Sequence, residues 1–259
     1  MYGHLVAYWR RLDPGFLLSR HSALPELRRR LGPASRSFVA RAVSLACGAT
    51  LIGTSVAMLV EADLGLPPYD VLASGLAANL GLTLGQGAWL VAAFLFIAAT
   101  VLGRQPSPWG VAYMLGIGLA IDAVANLLNQ PETLAGRVGF LLVSTVVMAG
   151  GINLVLYSGT TGGPFELLMA AAEDRGISWV VARYGLDLGV LGAGLALGGA
   201  VGIGTLVYAA TMGLVLQAVS QVFADHRAGR RHRLATGPAA AARSSVGPAT
   251  EAAAEPTRR

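Results

Sequence analysis

Apolar residues in this chain come in long, nearly unbroken runs, unlike the spaced stripes of a soluble amphipathic helix. Runs close to twenty residues, enough to cross a hydrocarbon layer of about 30 Å, cover residues 38–60, 84–103, 109–128, 138–157, 179–199 and 201–223. Each is expected to be helical, because lipid offers no partner to an unpaired backbone N–H or C=O. The seam between the last two falls in Gly198-Gly199-Ala200-Val201-Gly202-Ile203-Gly204. A single helix over 179–223 would be about 67 Å long at 1.5 Å per residue, too long to span once, so the seam is read as a tight turn. The pattern predicts six spans.

Two shorter apolar segments lie between the runs. Residues 61–70 lead into Val71-Leu72-Ala73-Ser74-Gly75-Leu76-Ala77-Ala78-Asn79-Leu80, and residues 158–166 lead into Leu167-Leu168-Met169-Ala170-Ala171-Ala172-Glu173. They are too apolar for exposed connections and too short to span, which makes them candidate re-entrant or interfacial helices.

The same text also occurs twice. Pro68-Tyr69-Asp70 and Asn79-Leu80-Gly81-Leu82-Thr83 return as Pro164-Phe165-Glu166 and Asp174-Arg175-Gly176-Ile177-Ser178. Tyr113 and the segment 118–124 return as Tyr208 and 213–219. Each copy carries three spans, and an odd-numbered unit must re-enter the membrane upside down, the arrangement of many transporters. The expected fold is therefore all-α and polytopic, with two inverted three-span repeats (38–130 and 135–225), each holding one short re-entrant or interfacial helix. An arginine-rich amphipathic segment (1–37) precedes them, and a tail (229–259), read as disordered, follows.

Composition agrees with this class: 54% of the 259 residues are hydrophobic and only 13% charged, about half the charged fraction of a soluble domain. There is no lysine; all the basic residues are arginine. With six spans, 18 arginines fall on the side of the two termini and only Arg137 opposite. Basic loops stay cytoplasmic, so both termini are expected inside a cytoplasmic membrane. The net charge of +5 is read as this bias, with some attraction to anionic lipid, and nucleic acid is not expected as a partner. Cys47 is the single cysteine, and no metal set can be assembled from it and the four histidines. No signal peptide is read at the start.

Candidate chemistry concentrates at the two short helices. Pro68 and Pro164 suit the first helical position, where a missing N–H costs nothing. Asp70 and Glu166 fall in the first turn, near the positive end of the helix dipole. Two readings of these acids stay open: helix-start residues favoured by the dipole, or groups at a polar opening where a cation or proton binds. Asp122 and Asn126 lie one turn apart in the third span, and Gln217 takes the equivalent place in the sixth. A buried acid in a span often belongs to an ion or proton path, and interhelical hydrogen bonding is its rival role. Arg183 and Asp187, four residues apart, suit a structural ion pair. Asn153 reads as helix–helix glue. Gly185/Gly189, Gly194/Gly198 and Gly198/Gly202 have the small-residue spacing that lets membrane helices approach closely, which is read as internal packing.

No phosphate-binding loop, zinc-protease motif or nucleophile elbow is present, so no enzyme and no cofactor are expected. Residues 60–72 followed by Gly81-Leu82-Thr83-Leu84-Gly85 resemble the first signature of the YczE/YyaS/YitT-like bacterial membrane proteins. Tyr157-Ser158-Gly159 with Gly163-Pro164-Phe165-Glu166-Leu167-Leu168-Met169 resembles the second, with Glu166 where that family usually has Asp. Gly202-Ile203-Gly204-Thr205-Leu206 is similar to the segment opening the family's last span. The resemblance covers roughly residues 38–225 and implies a multi-pass protein of the bacterial cytoplasmic membrane. The leading expectation is a secondary transporter or permease-like protein for a small polar or cationic solute, with Asp122 as a proton- or ion-coupling residue. The alternative is a non-transporting scaffold or regulatory protein acting through its cytoplasmic tails.

Overall fold

The computed structural model of the chain describes residues 38–159 and 163–236. The expectations for segment 1–37 and for most of the tail lie outside the described residues. Among the described residues there are eight helices and no strand: α1 (Phe38–Ala62), α2 (Pro68–Leu80), α3 (Leu84–Val101), α4 (Pro108–Ala125), α5 (Leu134–Tyr157), α6 (Pro164–Glu173), α7 (Trp179–Ala196) and α8 (Ile203–Thr236). The fold is all-α, with a helix on each expected span and on each short segment.

Five helices are long and apolar enough to cross a membrane: α1, α3, α4, α5 and α8 over Ile203–Val222. The helix in the place of the fifth expected span, α7, carries Arg183 and Asp187 and is not among the five. The seam before α8 is a turn, with Gly198 at φ 72°, the left-handed conformation that glycine adopts without a Cβ clash. The final helix continues to Thr236, so residues 229–236, expected to be disordered, are helical. Alanine and arginine, frequent there, are strong helix formers. The chain divides after Ser220; the contacts below belong to the first unit, and the second is helical as far as Thr236.

Helix starts fall into two kinds. Four of the longer helices begin behind a hydroxyl cap: Thr83 accepts from Gln86 N, Ser107 from Gly110 N, Thr133 from Gly136 N and Ser178 from Val181 N. Such a cap satisfies one of the orphan N–H groups of the first turn. The short helices α2 and α6 start instead on Pro68 and Pro164, and neither start has a side-chain cap.

Small residues set the packing. Antiparallel α1 and α5 meet where Gly48 lies against Gly151 and Val155. Ser44 Oγ donates to Leu154 O (2.7 Å) and Ser55 Oγ to Ser144 O (2.8 Å). Likewise, α4 closes on α1 at Gly53, against Ala120 and Ile117. The short helices cross over: α2 packs on α3 and α7, and α6 packs on the same two helices. Gly194 of α7 sits against the backbone of Leu72, where an added Cβ would lie 2.7 Å from Leu72 N. Internal packing is thus the role of Gly194, whereas Gly185 and Gly189 have nothing within 4 Å of an added Cβ.

Two polar bridges tie the short helices to their neighbours in the same way. Asn79 Nδ2 donates to Gly75 O (2.8 Å) one turn back and to Leu197 O (2.8 Å) at the end of α7. Arg175 Nη1 donates to Ala171 O (3.2 Å) one turn back and to Leu102 O (2.7 Å) at the end of α3. Arg175 stands one place beyond Asp174, the counterpart of Asn79 in the repeated sequence.

Candidate functional site

The first turns of α2 and α6 are brought together by their aromatic residues. Tyr69 and Phe165 stand at equivalent places in the Pro-aromatic-acid motif, and their ring centroids lie 5.6 Å apart at 58°. The Tyr69 hydroxyl donates to Ala88 O of α3 (2.7 Å), which fixes its ring. Beside this pair, each motif acid faces the other copy's tyrosine. Asp70 lies in electrostatic range of Tyr208 of α8, and Glu166 in range of Tyr113 of α4. The Tyr113 ring also borders Gly163 at the start of α6, as does Glu166 Oε2.

The surroundings of the two acids differ. Asp70 is buried, with 5% of its surface exposed, and makes no hydrogen bond or ion pair among the described residues. A carboxylate out of water without a partner is costly, so this group favours acquiring a proton or a cation. Glu166 is half-buried and folds back over its own helix start, where the dipole favours its charge. Pro68 and Pro164 hold the first helical positions, as expected.

Arg183 and Asp187 form the expected ion pair, with Nε–Oδ2 at 2.8 Å. Arg183 does more than the spacing indicated: its guanidinium carbon stands 5.5 Å from the Phe165 ring centroid and in electrostatic range of Tyr208. The cluster therefore unites Asp70, Glu166, Tyr69, Phe165, Tyr113, Tyr208 and Arg183.

Asp122 stands elsewhere. Its Oδ2 accepts from Thr83 Oγ1 (2.6 Å) and its Oδ1 from Gly85 N (2.9 Å), which places it over the first turn of α3. That position follows the far end of α2, which runs on from Asp70 for about 15 Å of helical rise. Asn126 donates back to Asp122 O (2.6 Å). Gln217, the counterpart of Asp122, is half-buried with no hydrogen bond among the described residues. Asn153 is fully buried and bonds its own helix at Ala149 O (2.9 Å), leaving Oδ1 without a partner. It provides no hydrogen-bonded glue between helices. A cavity of about 240 Å³ lies against α2, between Leu59, Asp63, Ser74, Leu84 and Ala200, and includes none of the cluster.

A protein family described as a family of unknown function, DUF6198, matches residues 39–221, which takes in the cluster and every helix that builds it. The chain belongs to this family. It is 28% identical over 175 residues to the uncharacterized membrane protein YczE of Bacillus subtilis, covering 66% of this chain and 80% of that protein. It is 27% identical over 169 residues to an uncharacterized protein of Haemophilus influenzae, covering 65% and 78%. To the uncharacterized protein YyaS of Bacillus subtilis it is 24% identical over 192 residues, covering 72% and 95%. No solved structure matches the chain. These relatives support a membrane protein of the YczE/YyaS-like family, as the resemblance implied.

In this DUF6198 chain, sequence reasoning found both motif acids but left the tyrosines out of the site. Their signal was present, since Tyr113 and Tyr208 recur at the repeat spacing. What a single sequence lacked was the exchange of partners between the two copies.

Proposed function

We propose that this protein is a secondary transporter or permease-like protein of the cytoplasmic membrane for a small polar or cationic solute. Its two copies of the repeat are inverted three-span units, with α7 as the fifth of six spans, and the half-helices α2 and α6 enter from opposite faces to meet at a midplane site. The arginine distribution supports both termini being cytoplasmic. Asp70 and Glu166 are the solute- or proton-binding carboxylates.

The observation that carries this reading is the reciprocal pairing: Asp70 with Tyr208 and Glu166 with Tyr113, around the stacked Tyr69 and Phe165. Broken helices whose starts converge at the junction of two inverted repeats are how many secondary transporters form their sites. The two uncapped helix starts support it, because they keep backbone N–H groups available.

The test is electrical. Proteoliposomes adsorbed on a solid-supported membrane are given concentration jumps of inorganic and organic cations and of protons. Wild-type protein is expected to give a transient current that Asp70→Asn/Glu166→Gln abolishes. Currents of equal size from both would sink the assignment of those acids.

A further inference from the structure

We propose that the cluster binds a weakly hydrated organic cation, of the quaternary-ammonium or guanidinium class, with the Arg183 side chain as a tethered competitor for the same rings. This names the substrate class of the site just described and rests on that reading for its physiological purpose, although the binding chemistry stands independently.

Four aromatic residues stand near the acids: Tyr69 and Phe165 in mutual ring contact, and Tyr113 and Tyr208 in electrostatic range of Glu166 and Asp70. A cation over a ring face within about 6 Å of the centroid is attracted by the ring quadrupole, and cages of such rings recognise quaternary ammonium groups. One ring already does this within the chain, since the Arg183 guanidinium stands 5.5 Å from the Phe165 centroid. The Phe165 face therefore accepts a planar cation in this geometry.

The charge supplies a second, independent argument. Asp70 is 5% exposed, has no polar partner among the described residues, and faces Tyr69 and Tyr208. An unpaired carboxylate so placed is relieved by a proton or by a positive charge beside it. Arg183 lies in range of the same Tyr208 but spends its hydrogen bond on Asp187 (2.8 Å), so it leaves Asp70 unpaired. A small inorganic cation would ask for six or more oxygen ligands. Among the described residues no three His, Cys, Asp or Glu side chains converge to supply them. An anion would meet two carboxylates. The rings and the lone acid together select an organic cation.

Arg183 provides the diagnostic prediction. If it competes for the rings, removing it together with its partner, as Arg183→Gln/Asp187→Asn, keeps the local net charge and frees Phe165. Binding should then tighten, by roughly threefold for relief of one exposed cation–π contact. A merely structural ion pair would give the opposite result, or none.

The experiment measures thermal shift and calorimetric binding of tetramethylammonium and methylguanidinium to the full chain in detergent, with sodium chloride at equal ionic strength as control. A ligand that binds only the folded state raises its apparent stability. The expected result is stabilisation beyond sodium, lost in Asp70→Asn and in Phe165→Leu, which keeps apolar bulk without a ring, and enhanced in Arg183→Gln/Asp187→Asn. Each variant's near-UV circular dichroism and elution volume identify those that remain folded. No stabilisation beyond sodium by either cation in folded wild-type protein overturns the inference, as does an undiminished response in folded Asp70→Asn. Binding with this variant pattern but without current in proteoliposomes upholds the cation site and removes transport.

Discussion

Asp122 of α4 sits against the first turn of α3. Its carboxylate receives two hydrogen bonds, from Thr83 Oγ1 at 2.6 Å and Gly85 N at 2.9 Å, and so ties α4 to the first turn of α3. Hydrogen bonds to a charged group contribute about 1.5–3 kcal/mol each. The residue is only half-buried, so the lower end of that range applies, and Asp122→Ala is expected to cost about 3 kcal/mol. Asp122→Asn retains one acceptor oxygen and should cost about 1 kcal/mol. Thr83 also caps α3 through Gln86 N, so Thr83→Ala carries its own cost of about 1 kcal/mol. The interaction across the helices is isolated by the double-mutant cycle, whose coupling should be about 1.5 kcal/mol. Reversible unfolding in mixed micelles titrated with dodecyl sulfate measures all four corners. A coupling below about 0.3 kcal/mol, within the usual additivity error, would refute the capping role. An Asp122→Asn protein of unchanged stability that had lost all current would restore Asp122 as a coupling carboxylate.

Further predictions concern packing and pH. Gly194→Ala brings a Cβ to 2.7 Å from Leu72 N and 2.8 Å from Val71 Cγ1, and should cost about 1–3 kcal/mol as an overpacking substitution in the same unfolding assay. Gly185→Ala, with nothing within 4 Å, should stay within about 0.5 kcal/mol of wild type. On the connection between α6 and α7, the hydrogen bonds and charge of Arg104 hold the Asp174 carboxyl below its ordinary range, while Arg104 is pushed up and stays charged. A depressed acid stabilises the fold above its unfolded value of about 3.9 and loses that contribution as pH falls through the lower folded value. Amide exchange around residues 174–176, corrected for its intrinsic pH dependence, should therefore gain no extra opening from pH 9 down to 6. It should gain opening below about pH 4, and Asp174→Asn should remove that pH step.

The chain announces most of its helices because the solvent leaves little choice: a long apolar run in lipid has to close its own hydrogen bonds. Pro68 and Pro164 mark the short helices as clearly, and the glycines at 198–204 mark the seam. Residues 229–236 are polar enough to read as a tail, yet they are helical, as the helix propensity of Ala and Arg allows. Within the cluster, Asp70 and Glu166 were legible from their repeated setting, and Arg183–Asp187 from a spacing of four. The position of Arg183 over Phe165 was not legible, because it joins α7 to the start of another helix. The partners of Asp122 were not legible for the same reason. A carboxylate in a span reads identically whether it faces a path for ions or the bare N–H groups of a neighbouring helix, and only the contact with Thr83 and Gly85 distinguishes them.

The two bridges at the ends of the short helices have a consequence for how the chain holds together. Asn79 of the first half grasps Leu197 of the second, and Arg175 of the second grasps Leu102 of the first. Tyr208 and Tyr113 cross over in the same manner. Each half thus lacks some of the partners of its own motif, and the covalent link over residues 126–133 supplies none of these four crossings. A gene cut there should yield fragments that are useless alone and recover one another when produced together, much as two half-size chains inserted in opposite directions would assemble. The two grips also differ in chemistry, one neutral amide and one guanidinium, so salt should loosen one end of such an assembly and spare the other.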